Sequence, residues 1–381
     1  MSSRIYFDYC ATTPVHSSVR EKMSRALDRD FGNPSSMHWA GKASKQLMTQ
    51  ARMDVAEGIG CHPDEIIFTS GATEADNLAL FGILRLFPVN KAHLITSSIE
   101  HHAILHTAAQ LEREGYSVTY VPVNENGLVN PEDVRRAIRP ETKLISIMYV
   151  NNEVGSVQPI AEIGRIARES NIKFHTDAVQ AIGLFDVNVN DLKVDLLSLS
   201  AHKVYGPKGI GALYIRSGID LSPMILGGPQ EYSLRAGTEN VPGIVGLGAA
   251  MILVRQHRAD ERARLMGLRK YLVNGLQAIG PVVIVNGLEE KTAAHILSIS
   301  FVGADAEMML IRLDAEGFAV SLGSACNSKT IEPSHVLTEM KLSQEQIEST
   351  LRISLGMQTT QEELDLFLKA VALVLPRVMV Q

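Results

Sequence analysis

Residues 143–180, KLISIMYVNNEVGSVQPIAEIGRIARESNIKFHTDAVQ, hold two apolar runs with one helix-periodic segment between them. KLISIMYV and IKFHTDA are short and rich in β-branched and aliphatic residues, whereas Ala161 to Ser170 repeats its apolar residues at helical spacing. The stretch reads strand, helix, strand. Two strands joined through a helix run parallel in one sheet. The same alternation extends in both directions. EIIFTS, HLITSS and SVTYVPV lie upstream, with helical periodicity from Ala72 to Phe87, and VDLLSLS and GALYIR lie downstream. These runs predict an α/β fold with a mostly parallel seven-stranded sheet covered by helices. Ligands of such sheets bind beyond the carboxyl ends of the strands, so the residues just after each run are the first functional candidates.

After Gly243 the texture changes. RQHRADERARLMGLRKYLVNGLQAIG carries a dense charged face over leucines, and VVIVN and HILSISF follow as shorter strand-like pieces. We expect a large unit over residues 15–254 and a smaller α+β unit over 255–381, with residues 1–14 forming an arm that packs with the smaller one. There are no internal repeats, and residues 327–335, small and polar with one proline, form the main candidate for an irregular loop.

The chain has 381 residues, 45% of them hydrophobic, enough for a large core and more than one domain. A net charge of −6 provides no global attraction for nucleic acid or anionic lipid. MSSRIYFDYC lacks the basic start and apolar run of a secretion signal, and the glycine-broken stretch from Val241 to Val254 is too short to span a bilayer. A cytoplasmic location is expected, with no direct partner among nucleic acids or membranes. Cys10, Cys61 and Cys326 form neither a metal-ligand spacing nor an even framework, which suits free thiols in a reducing compartment.

SLSAHKVYGPKGIGAL places Lys203 just after a buried-strand pattern. Most lysines are solvated surface residues, but FHTDAVQ puts Asp177 and Gln180 at the end of another strand, where one ligand in the same crevice would meet all three. A lysine and a carboxylate so placed point to pyridoxal 5′-phosphate, an electron sink whose ring nitrogen must be kept protonated by such an acid. FTSGATEADN then supplies Ala72 and Thr73 at a helix start suited to a phosphate, with Ser200 and His202 as further donors. His101, in SSIEHHAIL, is placed to stack on the ring and exchange protons. His102 and His106 make a one-turn pair with no third ligand beside them, and no metal is expected. Asn151, Asn152 and Glu153 follow another strand at the same rim. Arg352, in LRISLGM, is suited to a substrate carboxylate, which makes an amino acid the natural substrate.

DYCATTP, FGNPSSMH, FTSGATEADN, EHHAIL, VNNEVG, HTDAVQ, SAHKVYGPKG, RAGTEN and GSAC together resemble the cysteine desulfurases, fold type I pyridoxal-phosphate enzymes of the class-V aminotransferase-like kind. The resemblance is collinear over nearly the whole chain. GSACNSKTIEPSHVL is similar to the branch with a long mobile cysteine loop. The resemblance implies that Lys203 is the Schiff-base lysine, that Asp177 partners the ring nitrogen, and that Gln180 and Asn152 contact the ring-hydroxyl side. Thr73, Ser200 and His202 would hold the phosphate, Thr238 would reach it from the neighbouring subunit of a homodimer, and Asn152 and Arg352 would bind L-cysteine. Cys326 would be the nucleophile, carrying a persulfide to a sulfur-acceptor protein of iron–sulfur assembly or of thiolation pathways. Its small flexible neighbours, in SLGSACNSK, suit that travel. Cys10 and Cys61 are expected to be ordinary buried thiols.

Leu322 stands where the family usually has a small or polar residue and could restrain the loop, and Cys10 occupies a variable place. The rival readings are a selenocysteine or cysteine lyase, or a related class-V aminotransferase-like enzyme, and a catalytically silent scaffold. The GSAC loop argues against the aminotransferase, and the joint presence of Lys203, Asp177, His101 and Cys326 argues against the scaffold.

Overall fold

The computed structural model describes residues 4–280, 282–322 and 333–379. Its arm enters as strand β1 (Ile5–Tyr6). The large sheet follows with β2 (Ile66–Thr69), β3 (His93–Ser97), β4 (Ser117–Val121), β5 (Thr142–Ser146), β6 (Lys173–Asp177), β7 (Leu196–Ser200) and β8 (Gly211–Ile215). Their order across the sheet is β2-β8-β7-β6-β5-β3-β4. β8 runs antiparallel to both neighbours, and the other four pairings are parallel. All seven apolar runs of the sequence are strands of this sheet. Helices cover both faces, which is why β2, β3, β7 and β8 are buried at every position instead of alternating. The KLISIMYV run leaves regular strand geometry after Ser146, yet Ile147 N–H and Tyr149 N–H still donate to the His175 and Asp177 carbonyls, so the chain reaches Asn151 at the strand-end rim.

The smaller sheet contains β9 (Val283–Val285), β10 (Ile296–Phe301), β12 (Ser321–Leu322) and β13 (Thr350–Ser354), paired antiparallel in the order β12-β13-β10-β9. β11 (Phe318–Ala319) pairs in parallel with β1 as a separate two-stranded sheet, and a parallel bridge from Asp8 to Ser354 ties the arm to β13. The helix Val241–Gln277, 37 residues long, links the two sheets, and the division expected between residues 254 and 255 falls inside it. Gly248 lets this helix approach Trp39–Ile59, since a Cβ there would lie 2.8 Å from the Ala51 Cα. A single apolar core joins the two sheets, from Phe174 under the large one to Phe301 and Phe367 at the small one.

Of the loop expected over residues 327–335, residues 327–332 lie outside the described residues, and His335 already belongs to the helix His335–Glu339, which Ser334 caps by accepting from Leu337 N–H. Among the described residues, no helix is long and apolar enough to cross a membrane.

Candidate active site

A cavity of about 650 Å³ opens beyond the carboxyl ends of the parallel strands, walled by the arm and by β13. Lys203 closes the turn Ala201–Lys203 directly after β7, and Asp177 is the last residue of β6, its parallel neighbour. The parallel register therefore brings both side chains to the same rim. Lys203 Nζ donates to the Ala11 carbonyl at 3.0 Å and also to the Cys10 carbonyl, and burial lowers its amine below the ordinary lysine value. Asp177 is 7% exposed, and burial pushes its carboxyl up to about 6 against the opposing pull of the Val179 N–H and the Lys203 charge.

The helix Ala72–Leu84 begins at the cavity with Gly71 at its N-cap and no side-chain cap. Its first amides are left for a ligand, with Ala72, Thr73, Ser200 and His202 all lining the same wall. Burial, then the charges of Lys203 and Lys208, lowers the His202 ring to about 4. His101 caps the helix His102–Arg113, its Nδ1 accepting from Ala103 N–H at 3.1 Å. The neutral ring therefore carries its proton on Nε2. Burial, Lys203 and the nearby histidines lower it to about 4.

Gln180 and Asn152 line the cavity, and Gln180 Nε2 donates to the Cys10 carbonyl at 3.0 Å. Arg352, on β13, reaches in with Nη1 on the Asn152 carbonyl at 3.0 Å and Nη2 on Asp8 Oδ1 at 2.9 Å. Asn151 departs from the rim role expected of it. It is fully buried, donating to the Ile99 carbonyl and accepting from Glu153 N–H and Val154 N–H, so it holds the turn together. Glu153 is 4% exposed and accepts from Ser334 Oγ at 2.5 Å. Thr238 is exposed and does not line this cavity, although Arg235 of the same loop pairs with Glu74. Cys326 lies outside the described residues, while Leu322, the last described residue before that segment, sits in β12 and pairs with Leu351 of β13.

A NifS-like protein of known structure superposes with a TM-score of 0.93 at 38% identity, over 98% of this chain and 100% of its own. The structure titled SspA in complex with cysteine matches with a TM-score of 0.83 at 41% identity, over 92% of this chain and 98% of that one. Cysteine desulfurase IscS of Methanosarcina thermophila is 49% identical over 367 residues, covering 96% of this chain and 91% of that protein. The aminotransferase class-V family matches residues 5–367. The chain belongs to this family, among its cysteine desulfurases.

Class-V aminotransferases of the cysteine desulfurase kind depend on pyridoxal phosphate. The cavity's own chemistry fits that group: an amine, a buried carboxylate beside it, and an uncapped helix N-terminus for a dianion. In this desulfurase several cavity residues escaped sequence reasoning. Asp76 lies on the Ala72–Leu84 helix, 1% exposed, with Oδ1 lacking a hydrogen-bond partner and His175 Nε2 3.7 Å away. Its position one helical turn after Thr73 was the available signal. His335 is a third imidazole at the His102–His106 pair, with its ring centroid 4.9 Å from that of His102. No cluster of three or more ligand residues capable of holding a metal is found among the described residues. Asp8 had no signal beyond its place in DYCATTP.

Proposed function

We propose that this cysteine desulfurase takes sulfur from L-cysteine, releases L-alanine, and carries the sulfur as a persulfide on Cys326 to an acceptor protein. The meeting of Lys203, Asp177 and Arg352 in one cavity supports this reading most strongly. Asp177 would hold the ring nitrogen of pyridoxal 5′-phosphate and Lys203 would anchor it. Gln180 and Asn152 would meet its hydroxyl side, His101 its face, and Ala72, Thr73, Ser200 and His202 its phosphate. The bound cofactor supplies a sink for the electron pair left at the substrate's α-carbon.

Arg352 and Asn152 orient the amino acid. The lowered pKa of Lys203 leaves more of its amine neutral and able to take the α-proton at Nζ, and the Cys10 and Ala11 carbonyls then hold the resulting ammonium. His101 offers the proton on Nε2. The thiolate of Cys326 forms a new S–S bond as the substrate's C–S bond breaks. The electron pair of that bond stays with the carbon fragment, which is protonated to alanine.

The exposed Thr238 would serve the cavity of a second copy. Phe31, Met37, Trp39 and Leu226, at 73, 89, 74 and 80% exposure, provide apolar surface for a homodimer. The reading includes the cytoplasm as the place of action, an iron–sulfur or thiolation pathway as the destination, and the 15–254 and 255–381 division with the arm on the smaller unit.

Incubation with L-cysteine in the absence of an acceptor tests the activity. Alanine should form together with protein-bound sulfur. Absence of alanine after cofactor loading would sink the proposal, and free sulfide with pyruvate and ammonia in place of alanine would make the chain a lyase.

A further inference from the structure

Arg352 is 3% exposed, and a guanidinium so deeply buried needs a hydrogen-bonded counter-charge. Two carboxylates face it. Glu153 is occupied by Ser334 Oγ, which leaves Asp8, at 2.9 Å from Nη2, as the paired one. The Asn152 carbonyl takes Nη1 at 3.0 Å, so two contacts on different nitrogens set the plane of the group. A guanidinium has five N–H donors, and Nε of Arg352 has no partner among the described residues. Donors therefore remain for a ligand.

Asp8 is itself held. Tyr6 Oη donates to its carbonyl at 2.9 Å, Ala11 N–H donates to the same oxygen at 3.0 Å, and Asp8 bridges to Ser354 at the end of β13. Cys10 N–H reaches Ser354 Oγ at 2.9 Å, which fixes the turn two residues farther on. That turn carries the Cys10 and Ala11 carbonyls that receive Lys203. A single short segment of the arm thus positions the guanidinium and the amine relative to each other.

We propose that Asp8 is a specificity-determining positioning residue, whose carboxylate fixes the plane of Arg352 so that the guanidinium can take both oxygens of the substrate's α-carboxylate. This deepens the proposed function and rests on reading Arg352 as the carboxylate holder. Without Asp8 the guanidinium keeps only the Asn152 carbonyl and can turn, losing the second, charge-assisted hydrogen bond to the ligand. A ligand with an ester in place of the carboxylate never had the full pair to lose.

The test measures binding of L-alanine and of L-alanine methyl ester to the cofactor-loaded protein by calorimetry. Wild type should prefer the free acid. Asp8→Ala should lose about tenfold of that preference, with ester affinity unchanged. Asp8→Asn, which keeps an oxygen for Nη2 but no charge, should lose about threefold, and it decides the matter if Asp8→Ala does not fold. An unchanged preference in Asp8→Asn, or an equal loss for both ligands in either variant, would overturn the assignment. Arg352→Lys separates the two readings. If it retains the wild-type preference, or if wild type has none, the carboxylate reading of Arg352 falls and the role of Asp8 falls with it. If Arg352→Lys loses the preference while the Asp8 variants keep it, only the assignment of Asp8 fails.

Discussion

Lys203 Nζ lies 3.0 Å from the carbonyl oxygen of Ala11, a residue 192 positions away in the chain. The amine at the centre of the cavity is therefore held by the N-terminal arm, and Asp177 stands beside it at the end of the neighbouring strand. Lys203→Ala should lower turnover by about two to four orders of magnitude, the usual range for a positioned acid–base group. The fold should survive, because removing a buried amine also removes the cost of desolvating it. Melting followed by circular dichroism checks the second half, and a large drop in Tm with preserved turnover would contradict both.

Glu100 is fully buried and its carboxyl is raised to about 8 by that burial, with Asp177 adding to the rise while Ser97 and the Met148 N–H oppose it. Below pH ~4.5 the folded and unfolded chains both keep the proton. Above that, the unfolded chain releases its proton first, so stability falls as pH rises from about 4.5 to about 8. Asp177 acts in the same direction between about 4 and about 6, whereas His101 and His202, lowered to about 4, act in the opposite direction below ~6.5. The difference between wild type and Glu100→Gln isolates the one group. Melting of the apoprotein at pH ~5 and ~8 should show a smaller decrease in Tm for Glu100→Gln than for wild type. Equal decreases would refute the assignment.

Persulfide should appear on Cys326 and on no other cysteine. Cys10 is 1% exposed with its thiol raised by burial, and burial pushes Cys61 up to about 12, so neither is a thiolate at neutral pH. Peptide mass spectrometry after exposure to L-cysteine should find one extra sulfur on the Cys326 peptide alone. Sulfur on the Cys10 or Cys61 peptides at comparable yield would be evidence against this assignment, and Cys326→Ser should leave both cofactor binding and alanine binding intact.

The exposed residues Phe31 and Trp39 should be covered by a second copy. Phe31→Glu combined with Trp39→Glu should shift sedimentation from dimer to monomer and weaken cofactor binding, because Thr238 would no longer reach the partner's cavity. A dimer undisturbed by both charges would place the interface elsewhere.

The strands and the two central residues were legible because their signals are local. Each of the seven apolar runs needed only its own composition and its flanking turn to be read, and a polar residue just past such a run stands where the parallel sheet presents it. Lys203 and Asp177 are residues of that kind. The helix start at Ala72 was readable for the same reason, since an uncapped N-terminus after a buried strand is a feature of a few consecutive residues.

Other features depend on segments that meet only in the folded chain. Asp8 and Arg352 are 344 positions apart and pair because the arm lies along β13. His335 joins His102 because the helix after the cysteine segment packs back toward the rim, and Asp76 faces His175 because one helix covers that face of the sheet. Asn151 and Asn152 are adjacent and chemically identical, yet the first is spent on the turn while the second lines the cavity. The sequence by itself determined the alternation of strand and helix and the residue types at the strand ends, since both follow from short-range backbone and burial preferences. Only the tertiary structure decided which charged groups are buried, and against which partners, because burial and pairing are set by the packing of distant segments and not by the identity of the residues that carry the charge.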